Sequence, residues 1–346
     1  MNAISEPMVG TLILPQPYVL FLGDVTVAGY AKTAFGLRDW APDKCVGEIR
    51  LDGATVTTGL DAMTPAQAHA RGARALLIGV ANPGGIIPAS WQASLIEALE
   101  AGLDLISGMH MRLSDIPELA ATAQRLGRQL IDVRVPPAQL PIGNGRKRSG
   151  MRLLTVGTDC ALGKKYTALS LAAAFAARGL DVDFRATGQT GIMIAGGGIP
   201  MDAVIADFEA GAAETLSPDA AAGHWDVIEG QGAITHPAYA GVSLGLLHGS
   251  QPDVFVVCHE PGRTEMIGAA GHLLTSIEEI VELTLILGRR TNPSIRCAGF
   301  SFNTSAMGAS EATALMADET RRLGLPVADP VRGGTAFDAL VDSCLA

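Results

Sequence analysis

The stretch Leu153-Leu-Thr-Val-Gly-Thr-Asp-Cys-Ala-Leu-Gly-Lys-Lys165 constrains the fold of this chain more than any other. A short apolar strand runs into a glycine-bounded loop, then Gly163 and Lys164, then an Ala/Leu-rich helix. Such a turn cradles phosphate. Glycines let backbone N–H groups converge without Cβ clashes, the helix N-terminus adds a partial positive charge, and the lysine adds a full one. A turn of this kind needs a buried strand behind it and a helix across it, which implies an α/β architecture.

The same alternation runs through the rest of the 346 residues, a length that suits two domains. Upstream, Val19–Gly23, Ala75–Gly79 and Leu103–Ser107 are apolar runs ending at Gly or Ser, with helical patterns at Pro88–Ala101 and Ile116–Leu126 between them. Downstream, the patterning predicts strands at Arg152–Val156, Val182–Ala186, Asp226–Glu229, Val254–Cys258, Ile295–Phe302 and Pro326–Ala328. Helices are expected at 164–178, 199–214, 266–287 and 309–323. Strands that are apolar throughout and end in polar or glycine residues belong to a parallel sheet with a functional C-terminal edge. Pro, Gly and basic residues between Pro136 and Gly150 read as a linker. The expected division is therefore 1–140, a linker at 141–150, and 151–346.

Composition excludes several classes. A net charge of −10 argues against nucleic-acid or anionic-membrane partners, which demand a basic face. The most apolar stretch, Ala168 to Ala177, is too short to span a bilayer, and residues 1–6 carry no basic, then apolar, leader pattern. Five scattered cysteines with no C-x-x-C pair suit a reducing cytoplasm, and form neither a disulfide framework nor a zinc site. Small molecules are the expected partners, and two-domain α/β enzymes of this size are commonly homo-oligomers.

Read strictly, the loop departs from G-x-x-x-x-G-K-[ST]. Thr158 stands at the first glycine position, with Gly157 before it, and Lys165 replaces the hydroxyl that would hold Mg²⁺. In its Gly-Thr-Asp-x-x-x-Gly-Lys form the loop resembles the dethiobiotin-synthetase branch of P-loop proteins. Residues Gly157, Thr158, Asp159, Cys160, Ala161, Leu162, Gly163, Lys164 and Lys165 are thus candidates for binding a phosphate-bearing cofactor, without a metal. Cys160 is open to two readings, an acyl-enzyme nucleophile or a small side chain filling the loop.

Four other strand ends carry chemistry. Ala186-Thr-Gly-Gln-Thr-Gly191 offers small donors, with Gln189 and Thr190 as substrate contacts, or else is a plain βα turn. Glu229 ends a strand beside Gly230-Gln-Gly232 and is a candidate base or Mg²⁺ ligand. His259 and Glu260 are further base candidates, and Arg263 fits a carboxylate or phosphate clamp. His236 is comparable to His259, and each also has a plain structural reading. Asn303 is placed to meet a purine edge.

Taken together, Gly157–Lys164, Ala186–Gly191, Glu229–Gly232, His236-Pro-Ala-Tyr239, Leu246-Leu-His-Gly-Ser-Gln-Pro252 and Cys258–Arg263 resemble the DUF1611 family, described as D-glutamate N-acetyltransferase-like. That resemblance implies a Rossmann-like N-terminal domain and a P-loop NTPase-like, doubly wound C-terminal domain. It also implies transfer of acetyl from acetyl-CoA to the amine of D-glutamate. Coenzyme A carries a pyrophosphate and a 3′-phosphate, which a P-loop lacking its Mg²⁺ hydroxyl can anchor through Lys164 and the backbone of 158–163. Glu229 or Glu260 would take the amine proton, Arg263 would hold a substrate carboxylate, and 188–191 would supply oxyanion donors. The rival is an ATP/Mg-dependent ligase or kinase acting on a small carboxylate, with Glu229 on Mg²⁺, Lys164 on the phosphoryl group and Thr167 standing in for the missing hydroxyl. A third reading is a nucleotide sensor that turns nothing over.

Overall fold

The computed structural model describes residues 11–346, so the stretch 1–6 read above for a leader lies outside them. The chain forms two compact units: Thr11–Pro137 with Gln189–Ala203, and Ala138–Gly188 with Val204–Ala346.

In the first unit, five strands make a wholly parallel sheet: β1 (Tyr18–Gly23), β2 (Cys45–Arg50), β3 (Ala75–Ile78), β4 (Asp104–Ser107) and β5 (Leu130–Asp132), in the order β2-β1-β3-β4-β5. β1 and β3 are buried along their whole length, as helices on both faces require. The covering helices are α1 (Lys32–Trp40), α2 (Pro65–Ala70), α3 (Ala89–Glu100) and α4 (Pro117–Leu126). Local chemistry sets their ends. Thr64 and Gln67 close a capping box on α2, and Gly127 ends α4 in the left-handed conformation. At the end of β1, a Cβ on Gly23 would stand 2.4 Å from Trp91, whose indole donates to Asp24 at 2.8 Å.

The second unit follows in chain order: β6 (Met151–Gly157), α5 (Lys164–Ala177), β7 (Asp181–Arg185), α6 (Gln189–Ala195), α7 (Glu209–Leu216), β8 (His224–Ile228), α8 (Ala240–Ser250), β9 (Val254–His259), α9 (Ile277–Gly288), β10 (Arg296–Phe302), α10 (Ala309–Leu323), β11 (Val327–Ala328) and α11 (Gly334–Leu345). Of these, α6 belongs to the first unit. The sheet is parallel, in the order β11-β10-β9-β6-β8-β7. The chain leaves β6 toward β7 and β8 on one side, then returns to β9 on the other. This topological switch places the loop after β6 where α/β sheets bind ligands. Leu153, Val227, Val254 and Val256 pack one sheet face against Ala168, Leu171 and Phe175 of α5 and Leu340 and Val341 of α11.

Toward the opposite, N-terminal edge of the strands lies an ion network centred on buried Arg152 and Asp226. Arg152 is fully buried and its guanidinium donates to the carbonyls of Arg148, Ser149 and Pro218. Asp226 pairs with Arg185 at 2.5 Å and with His224 at 3.2 Å, and His224 meets Asp181 at 2.9 Å through its other nitrogen. With hydrogen bonds to carboxylates on both nitrogens, the imidazolium is held and its pKa is pushed up to about 9.

Three expectations are corrected. Residues 199–214 are two short 3-10 turns at Met201–Ala203 and Ala206–Phe208, and only then α7, because the chain changes unit at 203/204. Residues 266–276 are loop: Gly268 and Gly271 take φ of 76° and 80°, and Ser276 caps α9 by accepting from the Glu279 N–H. The basic part of the expected linker is packed structure, with Arg148 buried and donating to Ser217, Gly249 and Gln251. Among the described residues no helix is long and apolar enough to cross a membrane.

Candidate active site

The loop between β6 and α5 is tied down over its first half and leaves the main-chain N–H groups of 161–163 open. Leu162 is buried beneath it, and Thr158 N–H bonds to the Cys258 carbonyl at 3.1 Å, tying the loop to β9. Ala161 and Gly163 take positive φ of 54° and 102°, which turns successive peptide N–H groups to one side. Among the described residues no protein acceptor meets the N–H groups of Ala161, Leu162 or Gly163. Unpaired donors beside a helix N-terminus are an anion site. Lys164 is buried and its ammonium donates to the Asp159 carbonyl at 2.7 Å, with burial pulling its pKa down. An anion in the cradle would restore the favourable charge that burial takes from this lysine.

Asp159 is the hub. One carboxylate oxygen accepts from Arg263 at 2.8 Å and from the Ile267 N–H at 2.9 Å, and the other accepts from the Cys160 N–H at 2.6 Å. Arg263 also donates to the Cys160 carbonyl at 2.8 Å and pairs with Glu260. The clamp expected at Arg263 is therefore already filled by the protein's own carboxylates, and its visible work is to bind the 259–267 loop to the P-loop. Glu260, occupied by Arg263, is the less available of the two glutamates.

Glu229 is different. It follows β8, is buried, and both of its main-chain bonds go to Oε2, from Thr187 and Gly188 N–H at 3.0 Å each. Among the described residues none donates to Oε1. Burial raises its pKa, while the two N–H groups and the charge of Lys165 act the other way. Lys165 is half-buried over the Tyr166 ring at 4.4 Å, with its own pKa lowered by burial. The charges of Lys165 and Lys164 favour ionised Glu229, and Lys165 stands where a Mg²⁺-dependent P-loop carries the metal-binding hydroxyl. Thr167 cannot replace the missing hydroxyl: it is buried, bonded to Ser301 at 2.7 Å and to the Gly163 carbonyl at 3.3 Å.

The remaining candidates separate. His259 meets the Thr158 hydroxyl at 3.0 Å through Nδ1, and burial lowers its pKa, which favours the neutral imidazole beside the cradle. His236 is buried with both nitrogens engaged. Nδ1 accepts from Ala238 N–H at 3.1 Å, which leaves Nε2–H to donate to the Ile267 carbonyl at 3.1 Å. It supports the loop that Asp159 also holds. Asp159, Cys160 and His236 bring ligand atoms within 4.8 Å of one another, but the hydrogen bonds of Asp159 and His236 make them a poor donor set for a cation. The Cys160 thiol is pushed up by burial, against a thiolate nucleophile. The Asn303 amide oxygen closes a turn onto Ser305 N–H at 3.2 Å.

The expected oxyanion loop is corrected too. Gly188 N–H is committed to Glu229, and Gln189 and Thr190 open α6 in the first unit, where Thr190 meets Thr33 at 3.2 Å. The sequence marks Gly230 beside Glu229 but gives no sign of its partner, Thr155. Gly230 N–H bonds to Thr155 Oγ1 at 2.9 Å, and a Cβ on Gly230 would fall 1.6 Å from the Thr155 carbonyl oxygen and 3.2 Å from Lys164 Cδ. The signal was the glycine directly after Glu229.

Comparison with known proteins identifies the family and the fold. Residues 141–341 match the P-loop domain of DUF1611, a domain of unknown function, and residues 48–136 match the family's Rossmann-like N-terminal domain. A D-glutamate N-acetyltransferase of Tritonibacter scottomollicae is 50% identical over 334 residues, 96% of this chain and 100% of that one. Another of the same name, from a Pseudoalteromonas species, is 46% identical over 321 residues, covering 93% of this chain and 97% of that one. The crystal structure of a DUF1611 family protein from Anabaena variabilis superposes with a TM-score of 0.81 at 31% identity, over 95% of this chain and 99% of that one. This chain belongs to the DUF1611, D-glutamate N-acetyltransferase-like family, and is an acyltransferase with a Rossmann-like N-terminal domain and a P-loop C-terminal domain.

Proposed function

We propose that the enzyme moves the acetyl group of acetyl-CoA to the amine of D-glutamate, with a phosphate of the acyl carrier held by the loop 158–163 and Lys164. The names of the two relatives supply the acceptor. Lys165 is the observation that carries the choice of chemistry. A lysine where the Mg²⁺-binding hydroxyl would stand, its charge favouring ionised Glu229, suits a carboxylate acting as base, whereas phosphoryl transfer needs a hydroxyl and Mg²⁺ at that place.

In this scheme the amine nitrogen of D-glutamate attacks the thioester carbonyl carbon. The C–N bond forms, the C–S bond breaks, and the sulfur leaves as thiolate. Glu229 Oε1 takes the amine proton and passes it to the departing sulfur, so the products are the amide and free thiol. Burial makes Glu229 a stronger base than an exposed carboxylate, while the Thr187 and Gly188 N–H groups and the charges of Lys165 and Lys164 favour its ionised form. Neutral His259 stands beside the same cradle as a second proton carrier.

Incubation with acetyl-CoA and a panel of D- and L-amino acids, following thiol release, tests this directly. Release with D-glutamate in the absence of nucleotide and metal is expected, with Glu229→Gln lowering kcat by about 10²–10⁴-fold. ADP formation from ATP and Mg²⁺, with no thiol release, would replace this reading by the ligase.

A further inference from the structure

Between the C-terminal half of β6 and helices α8 and α9 lies a narrow cavity. Leu154, Leu246, Leu247 and Ile280 form its apolar walls, and all four are fully or almost fully buried. Three hydroxyls also face it, and each already donates to a main-chain carbonyl: Thr155 to Ile228 at 3.4 Å, Ser243 to Gln231 at 2.8 Å and Thr284 to Ile280 at 2.7 Å. A buried water wants two to four polar partners, so these walls suit an apolar group better than water. About 20 Å³ is open to the centre of a water-sized group, where one such group needs about 10–15 Å³.

The cavity adjoins the chemistry. Gly157 and Gly230 line it, and Gly230 is the residue whose missing Cβ lets Lys164 lie alongside. Gln231, another wall, donates from its amide to the Thr187 hydroxyl at 3.0 Å, and the Thr187 N–H holds Glu229. Through Gly157 and Gly230 this apolar, methyl-sized recess borders the loops that carry Lys164 and Glu229.

We propose that this cavity is the acyl pocket: it receives the methyl of the transferred acetyl group, and its size excludes longer acyl chains. The inference rests on the acetyl-transfer reading above. Its test compares kcat/KM for acetyl-CoA and propionyl-CoA, with D-glutamate as acceptor, in the wild type, Ile280→Val and Thr284→Ser. Both changes remove one methyl-sized group from the wall, and Thr284→Ser keeps the hydroxyl that bonds Ile280. Thermal melts identify which variant is folded. The wild type should favour acetyl over propionyl by about 10–200-fold, and either folded variant should raise the propionyl-to-acetyl ratio about tenfold. Thiol release with a ratio that stays within about twofold of wild type in the folded variants overturns the pocket and leaves acetyl transfer standing. A wild type that releases thiol from neither thioester overturns both.

Discussion

Gly230→Ala tests whether the catalytic edge depends on the tight approach of the β8 loop to β6. The added Cβ would stand 1.6 Å from the Thr155 carbonyl oxygen, and since real Cβ contacts do not fall below 3.0 Å, loop or strand must give by at least about 1.4 Å. That oxygen is backbone in a central strand, so the loop is what moves. The displacement breaks the 2.9 Å bond from Gly230 N–H to Thr155 Oγ1, a net loss of about 1 kcal/mol. Overpacking adds about 1–3 kcal/mol. Glu229 is the preceding residue, and a 1 Å misplacement of a reacting group costs about 100-fold in rate. Urea unfolding should therefore show a loss of roughly 2–4 kcal/mol, and thiol release should fall about 100-fold or more. Gly241→Ala in α8, where an added Cβ meets nothing within 4 Å, is the control and should leave both readings close to wild type. A Gly230→Ala enzyme within about threefold of wild-type turnover and with the wild-type midpoint would refute the reasoning.

Three further outcomes follow from the same geometry. Lys165→Thr removes the charge that favours ionised Glu229, so the Glu229 pKa rises and the acid limb of the kcat–pH profile moves to higher pH; an unmoved limb would separate Lys165 from the base. Cys160→Ser should keep turnover within about threefold, and no acyl-enzyme should appear in a rapid quench, because burial keeps the thiol protonated; a covalent acyl-Cys160 would contradict this. His224 has a folded pKa of about 9 against an ordinary 6.5. It therefore contributes stability that is fully present below pH 6.5 and is lost as pH rises through 9, about 1–3 kcal/mol in all. His224→Gln should flatten that stretch of the urea-unfolding pH profile.

What was legible in the sequence was what is local. The P-loop is one contiguous run whose glycines, lysine and flanking strand carry their own chemistry, and apolar runs such as Val254–Cys258 announce buried parallel strands. Non-local packing hid the rest. α8 carries Gly241, Gly245 and Gly249, so its helix propensity is poor. Yet a Cβ on Gly245 would lie 2.4 Å from Glu209 and one on Gly249 2.1 Å from the Ala210 carbonyl, so the close approach of α7 selects glycine over a helix former. Gln189 and Thr190 follow β7 in the chain and so look like part of the cradle, but the unit boundary falls between Gly188 and Gln189. Arg263 has the look of a substrate clamp until Asp159, 104 residues away in sequence, and Glu260, three residues away, are seen to fill it.

The central claim is that the turn before α5 moors the acyl carrier, and calorimetric titration of acetyl-CoA into wild type and Lys164→Ala addresses it most directly. Removing a charge-assisted bond to phosphate should weaken binding by about 10–100-fold. An unaltered dissociation constant in a folded Lys164→Ala enzyme would place the carrier elsewhere and contradict the claim.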